Sequence, residues 1–203
     1  ITTWLLQVMD NPKDSDGRLE LAQASTMAGI AFSNSMVGLV HALGHATGAI
    51  CHLPHGLCMS LYLPYVLEYN LESIRAPLGE LLLYLEGPDV YSATPASRRA
   101  EASISALRKL RDELHKRCKL PRTLKETGSV EEHQLDTIAE MAMDDGAMMF
   151  NPKEVSLEDA RAVLKRPRAC PGNARPPAQA GCFRPFRAYP PTPHAPTKAK
   201  SCP

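Results

Sequence analysis

The stretch AGIAFSNSMVGLVHALGHATGAICHLPHG, residues 28–56, decides how this chain is read. Four of the seven histidines fall between His41 and His55. His41 and His45 are four residues apart, so on a helix both imidazoles leave the same face about one turn from each other. A turn containing Pro54 then lets the chain double back and bring His55 beside His41, which would form a two-histidine clip. Neutral imidazole suits iron, zinc, copper and nickel, but two nitrogens undersupply a divalent ion, and no fixed spacing in the chain identifies further ligands. Taken alone, paired histidines on a helix also read as packing, capping or solvent-facing groups. His55 after Pro54 brings the metal reading level with these. His52, inside the turn, suits a capping or solvent-facing role, and His115 and His133, among charges, read as surface residues.

Outward from this stretch the chain reads as helices joined by short turns from Ile1 to about Lys165, with no convincing set of strands. A short helix from Ile1 to Met9 stops at Asn11-Pro12. A second starts near Asp16 with Leu19, Leu21, Ala22, Ala24, Met27, Ala28 and Ile30 on apolar faces, its small residues permitting close packing. Ser33-Asn34-Ser35 is expected to break it. A helix from Met36 to Thr47 follows, loosened at Gly48, and then one from His55 to Tyr69, kinked at Pro64. Leu78 to Leu85 reads as a short helix ended by Gly87-Pro88. Thr94-Pro95 reads as a cap before a long helix with Ile104, Leu107, Leu110 and Leu114 inward, ended by Pro121. Capping-box patterns at Ser129/Glu132 and Ser156/Asp159 predict two more helix starts, with the intervening DDGAMMFNP loop covering core through its Met and Phe residues.

The charges, 23 basic against 22 acidic, give no general electrostatic case for nucleic acid or an anionic membrane. No apolar run reaches the roughly 20 residues that a membrane span needs, and the first residues lack a signal-peptide pattern, so a cytoplasmic location is the default expectation. Function must therefore come from a local site. No two of the six cysteines are spaced as CxxC, so neither a zinc ribbon nor a disulfide scaffold is indicated. The residues split into a helical domain over 1–165 and a tail over 166–203. The tail is dense in proline, lacks acidic residues, and is expected to be disordered. Its loose PxxP matches leave a proline-ligand reading as the alternative.

The run AGIAFSNSMVGLVHALGHATGAICHLPHGLCMSLYLPYVLEYN resembles the core signature of the iron-containing, group III alcohol dehydrogenases. Similarity in helix order extends to FNPKEVSLEDARAVLK, which resembles that family's usual last helix. The resemblance implies an all-α fold like the family's C-terminal domain. It also implies that His41 and His55 ligate a divalent metal, normally Fe2+ and sometimes Zn2+. His45 would then lie near the reacting carbon, orienting substrate or relaying a proton, and Phe32 would line the substrate pocket. Ser33 and Asn34 fit a structural turn as readily as a substrate contact. The family's chemistry is Lewis-acid activation of an alcohol oxygen with hydride transfer to the nicotinamide of NAD or NADP, run in reverse to reduce an aldehyde.

The departures from the family pattern carry equal information. The family's DAxxHAxE-like motif, which supplies an aspartate and a histidine to the metal, does not occur before His41, and no GGGSxxD-like pyrophosphate loop is found. The chain is therefore expected to be part of a longer enzyme, to bind metal weakly on its own and to turn over nothing. Helical surface left without its other half would favour homo-oligomerisation or aggregation, and the tail would be the product of a frameshift, a misassigned reading frame or a foreign extension. A non-catalytic helical metal-binding or interaction module is the alternative. A zinc hydrolase fits less well, because HExxH helices place a general-base glutamate where this chain has Ala42.

Overall fold

The computed structural model describes residues 1–168; of the tail expected to be disordered from residue 166, the first three residues instead form a 3-10 turn, Arg166–Arg168, and the rest lies outside the described residues. Among the described residues there are nine α-helices, four short 3-10 turns and no strand, as the helical periodicities predict. In chain order the helices are α1 (Leu5–Asp10), α2 (Ser15–Ser35), α3 (Leu39–Cys51), α4 (His55–Tyr69), α5 (Leu71–Glu86), α6 (Pro88–Ala93), α7 (Arg99–Cys118), α8 (Gln134–Met143) and α9 (Leu157–Lys165).

The main core lies where α3 packs against α4 and α8, with α9 closing over α4 and α8. Leu39, Leu43, Leu61, Ile138 and Leu164 are fully buried there, and each contributes about 2 kcal/mol through removal of its apolar surface from water. A smaller cluster of Leu78, Ala100 and Ile104 joins α5 to α7. Ser103, buried in that seam, donates its hydroxyl hydrogen to the carbonyl of Leu78 at 2.8 Å or of Arg99 at 3.1 Å. Glu68 accepts hydrogen bonds from both Arg108 and Arg166, tying α4 to α7 and to the 3-10 turn Arg166–Arg168.

Several local expectations are corrected. Ser33-Asn34-Ser35 does not break α2: Ser33 Oγ donates to Gly29 O and Asn34 Nδ2 to Ile30 O, both at 2.8 Å, so these side chains bond back onto the helix that they were expected to end. The break falls at Met36, whose φ of 60° turns the chain through 107° between α2 and α3. Neither helix alone is long and apolar enough to cross a membrane, although the bent pair is so by length and composition.

The apolar residues of α2 are not packed against a core. Leu19, Met27, Ile30 and Phe32 are 58%, 70%, 62% and 54% exposed. Helix α5 begins seven residues before Leu78 and carries Pro77 within it. Thr94 does not cap the following helix; its hydroxyl donates to Val90 O at 2.7 Å. Ser129 and Glu132 form no capping box, because α8 starts later, at Gln134, whose side-chain oxygen accepts the Glu131 N–H at 2.9 Å. The box at Ser156/Asp159 does form, with Ser156 Oγ accepting from Asp159 N at 3.1 Å. In the DDGAMMFNP segment Met148 packs against the core, whereas Met149 is 80% and Phe150 45% exposed.

Candidate metal centre

His41 and His45 lie one turn apart on α3, and His55 is the first residue of α4. Their placement depends on how closely these two helices meet. A Cβ on Gly44 would come within 1.9 Å of Met59 Cε, so the missing side chain lets the α4 methionine lie against the α3 backbone. Thr47 and Tyr62, both 0% exposed, join the helices through a hydroxyl–hydroxyl hydrogen bond of 2.6 Å. Because Thr47 Oγ1 gives its own hydrogen to Leu43 O at 2.7 Å, Tyr62 is the donor to Thr47. The start of α3 is held by Asn151, whose Oδ1 accepts the Leu39 N–H at 3.3 Å and the Asn70 amide at 2.9 Å, while Asn151 Nδ2 returns a bond to Asn70 Oδ1 at 2.9 Å. The end of α3 is closed by His52 in the left-handed conformation, φ 55°, with its ring exposed.

The three imidazoles form a triangle. Ring centroids are 5.7 Å apart for His41–His45, 5.4 Å for His41–His55 and 5.4 Å for His45–His55. His55 does lie beside His41, and His45 stands at the third corner. Burial and the neighbouring His55 and His45 rings push His41 below its ordinary value, against the pull of Asp145. Its neutral form, the one that ligates metal, is favoured.

Asp145 joins the cluster from a loop 100 residues away in sequence. Its Oδ2 lies 2.8 Å from His45 Nδ1, and its Oδ1 accepts the Ala147 N–H at 2.8 Å, where it caps the 3-10 turn Gly146–Phe150. Although burial opposes its charge, the Ala147 N–H and the His45 ring hold the Asp145 carboxyl below the usual aspartate range. In the sequence this residue reads only as part of a loop. The local signal, an aspartate two residues before the amide it caps, says nothing of a histidine on α3.

Phe32 stands on α2, more than half exposed, and no ring contact joins it to the three histidines. His115 is less of a surface residue than expected, since its Nδ1 lies 2.9 Å from Leu120 O and the side chain is 29% exposed; His133, 75% exposed, is one. Cys51 and Cys58 are buried free thiols, and burial raises both, Cys58 to about 11. Among the described residues no group of three or more His, Cys, Asp or Glu side chains is arranged to hold a metal ion. A pair of neutral imidazoles suits a borderline divalent metal and leaves positions for further ligands. Two open depressions, of about 500 Å³ beside Thr94 and Glu101 and about 460 Å³ beside Leu19 and Met27, contain none of these histidines. Neither offers a comparable set of donors.

Residues 1–167 match the family model described as the C-terminal part of the Fe-containing alcohol dehydrogenase family. The chain is similar to alcohol dehydrogenase 4 of Saccharomyces cerevisiae, 34% identical over 164 residues, covering 80% of this chain and 40% of that protein. It is also similar to the NADPH-dependent butanol dehydrogenase of Clostridium saccharobutylicum, 30% identical over 155 residues, covering 75% and 38% respectively. Among solved structures, an alcohol dehydrogenase from Oenococcus oeni superposes with a TM-score of 0.72 at 30% identity, covering 82% of this chain and 42% of that one. The chain thus spans about 40% of the length of the relatives it matches.

Proposed function

Because this chain belongs to the Fe-containing alcohol dehydrogenase family, matching its C-terminal part, we propose that it supplies the helical half of the active site of an enzyme that interconverts small alcohols and their aldehydes with NAD or NADP. The observation that carries this reading is the convergence of His41, His45 and His55 from two helices onto one spot. In the proposal His41 and His55 are two ligands of a divalent ion, Fe2+ or in its place Zn2+, and the ligand set is completed from outside the described residues. Such an ion, when bound, supplies Lewis-acid activation of an alcohol or aldehyde oxygen.

The chain's own residues do the rest of the positioning. The Tyr62–Thr47 bond ties together α3 and α4, the helices that carry His41 and His55, and Met59 of α4 rests against Gly44 beside it. His45, held by Asp145 and exposed on its other side, faces the substrate and orients its oxygen; Phe32 lines the apolar side of the pocket once α2 is covered. The exposed apolar residues of α2 support such covering, by the remainder of a complete enzyme or by a second subunit. The alternative reading is a non-catalytic metal-binding helical module.

The test is anaerobic titration of the purified chain with Fe2+ and then Zn2+, followed by calorimetry, for the wild type and for His41→Ala, His55→Ala and His45→Ala. The proposal expects binding that is lost in the first two variants and kept in the third. Equal affinity in all four proteins would overturn the ligand assignment. Turnover of a small alcohol with NAD or NADP by a longer protein containing this sequence, absent in its His41→Ala variant, separates the enzyme from the non-catalytic module.

A further inference from the structure

The contact between Asp145 and His45 determines which nitrogen of the His45 ring carries hydrogen. An ionised carboxylate has only acceptor sites. Asp145 uses Oδ1 for the Ala147 N–H at 2.8 Å and turns Oδ2 to His45 Nδ1, also at 2.8 Å. Both partners must therefore be donors, and the hydrogen between Asp145 and His45 sits on Nδ1. We propose that Asp145 is a positioning residue that locks His45 in its Nδ1–H tautomer and leaves Nε2 as a fixed hydrogen-bond acceptor at the histidine triangle.

Three features make this a built arrangement. The carboxylate is anchored at its other oxygen by the backbone of the 3-10 turn, so it cannot rotate away from His45 without uncapping Ala147. That turn packs against α3, the helix that bears His45. Asp145 is mostly buried, with its side chain 23% exposed, whereas His45 is 45% exposed. The fixed partner is the carboxylate, and the open side of the imidazole is left for a ligand. A neutral imidazole donates from one nitrogen and accepts at the other. With Nδ1 committed to Asp145, Nε2 suits a ligand that donates, which is the character of an alcohol hydroxyl. This last step rests on the proposed function; the tautomer does not.

The substitution Asp145→Asn gives a sign-reversing test. The Ala147 N–H still requires an oxygen, so the asparagine oxygen takes the Oδ1 place and its NH2 group faces His45. Nδ1 must then accept, and the hydrogen moves to Nε2. The same logic underlies the loss caused by an aspartate-to-asparagine change behind the histidine of a serine protease triad, where the wrong tautomer is held in intact geometry.

The experiment is long-range 15N–1H correlation NMR on the 203-residue chain labelled at histidine. It is run at about pH 8.5, some two units above the ordinary imidazole value, with His45 assigned by its loss in His45→Gln. The wild type is expected to show Nδ1–H, and Asp145→Asn to show Nε2–H with unchanged helical circular dichroism. Asp145→Ser, whose hydroxyl can cap Ala147 but is too short to reach His45, is expected to lose the Nδ1–H preference. An Nε2–H signal in the wild type, or one tautomer common to the wild type and a folded Asp145 variant, would overturn the proposal. Failure of His41 and His55 to bind metal would instead remove the functional reading and leave the tautomer result intact.

Discussion

Replacing either partner of the Tyr62–Thr47 hydrogen bond should destabilise the helix pair that carries the histidines, and by different amounts. Both side chains are fully buried, and the 2.6 Å bond links α3 two residues after His45 to α4 about two turns after His55. Tyr62→Phe removes the donor but leaves Thr47 its 2.7 Å bond to Leu43 O, so the loss is that of one ordinary hydrogen bond, about 1 kcal/mol. Thr47→Val keeps the shape of the side chain but leaves the Tyr62 hydroxyl buried without a partner, which costs about 1–3 kcal/mol. Combining the two changes removes both polar groups. The double variant should therefore be less destabilised than the sum of the singles by about 1–2 kcal/mol. Because burial raises the phenol well above its ordinary value, Tyr62 remains a donor throughout the working range. Urea denaturation followed by far-UV circular dichroism measures all four corners of the cycle. Additivity within about 0.3 kcal/mol, or a smaller loss for Thr47→Val than for Tyr62→Phe, would refute the assigned direction of the bond.

Two further outcomes follow from the thiols and the carboxylates. Alkylation of the native chain near neutral pH, mapped by peptide mass, should label exposed Cys118 while sparing Cys51 and Cys58, whose thiols burial raises, Cys58 to about 11; denaturant should make all three reactive. The Asp145 and Asp159 carboxyls are held below 3.8 in the fold, so their contribution is present above 3.8 and lost as pH falls through their folded values. Stability measured from about pH 5 to about pH 2 should therefore fall, and Asp159→Asn should flatten the slope; an unchanged slope would remove the capping box as its source.

What could be read from the sequence was whatever local spacing determines. The bounds of α4, His55–Tyr69, follow from the turn at Pro54 and the apolar run after it, and the Ser156/Asp159 box is a contact across three residues. The meeting of His41 with His55 follows from one helix, one turn and one more helix start. The failures arise where a side chain has two possible local partners. Ser33 and Asn34 are turn formers by type, yet bond to the helix behind them. Ser129 loses its place as a cap because Gln134 satisfies the Glu131 N–H instead. Helix α2 shows the limit of apolar patterning: Met27 and Ile30 mark a face for packing, but among the described residues nothing covers it. Asp145 could not be found by spacing, since its partner lies 100 residues away and the loop between α8 and α9 sets their meeting.

The most direct test of the central claim, that this chain contributes two imidazoles to a metal through His41 and His55, is X-ray absorption at the zinc edge of the concentrated chain loaded with one equivalent of Zn2+. Two histidine nitrogens at about 2.0–2.1 Å are expected, with oxygen scatterers completing the shell, and the imidazole signal should be lost in the His41→Ala/His55→Ala double variant. Three or more imidazoles, sulfur scattering at about 2.3 Å, or an imidazole signal that survives the double variant would contradict it.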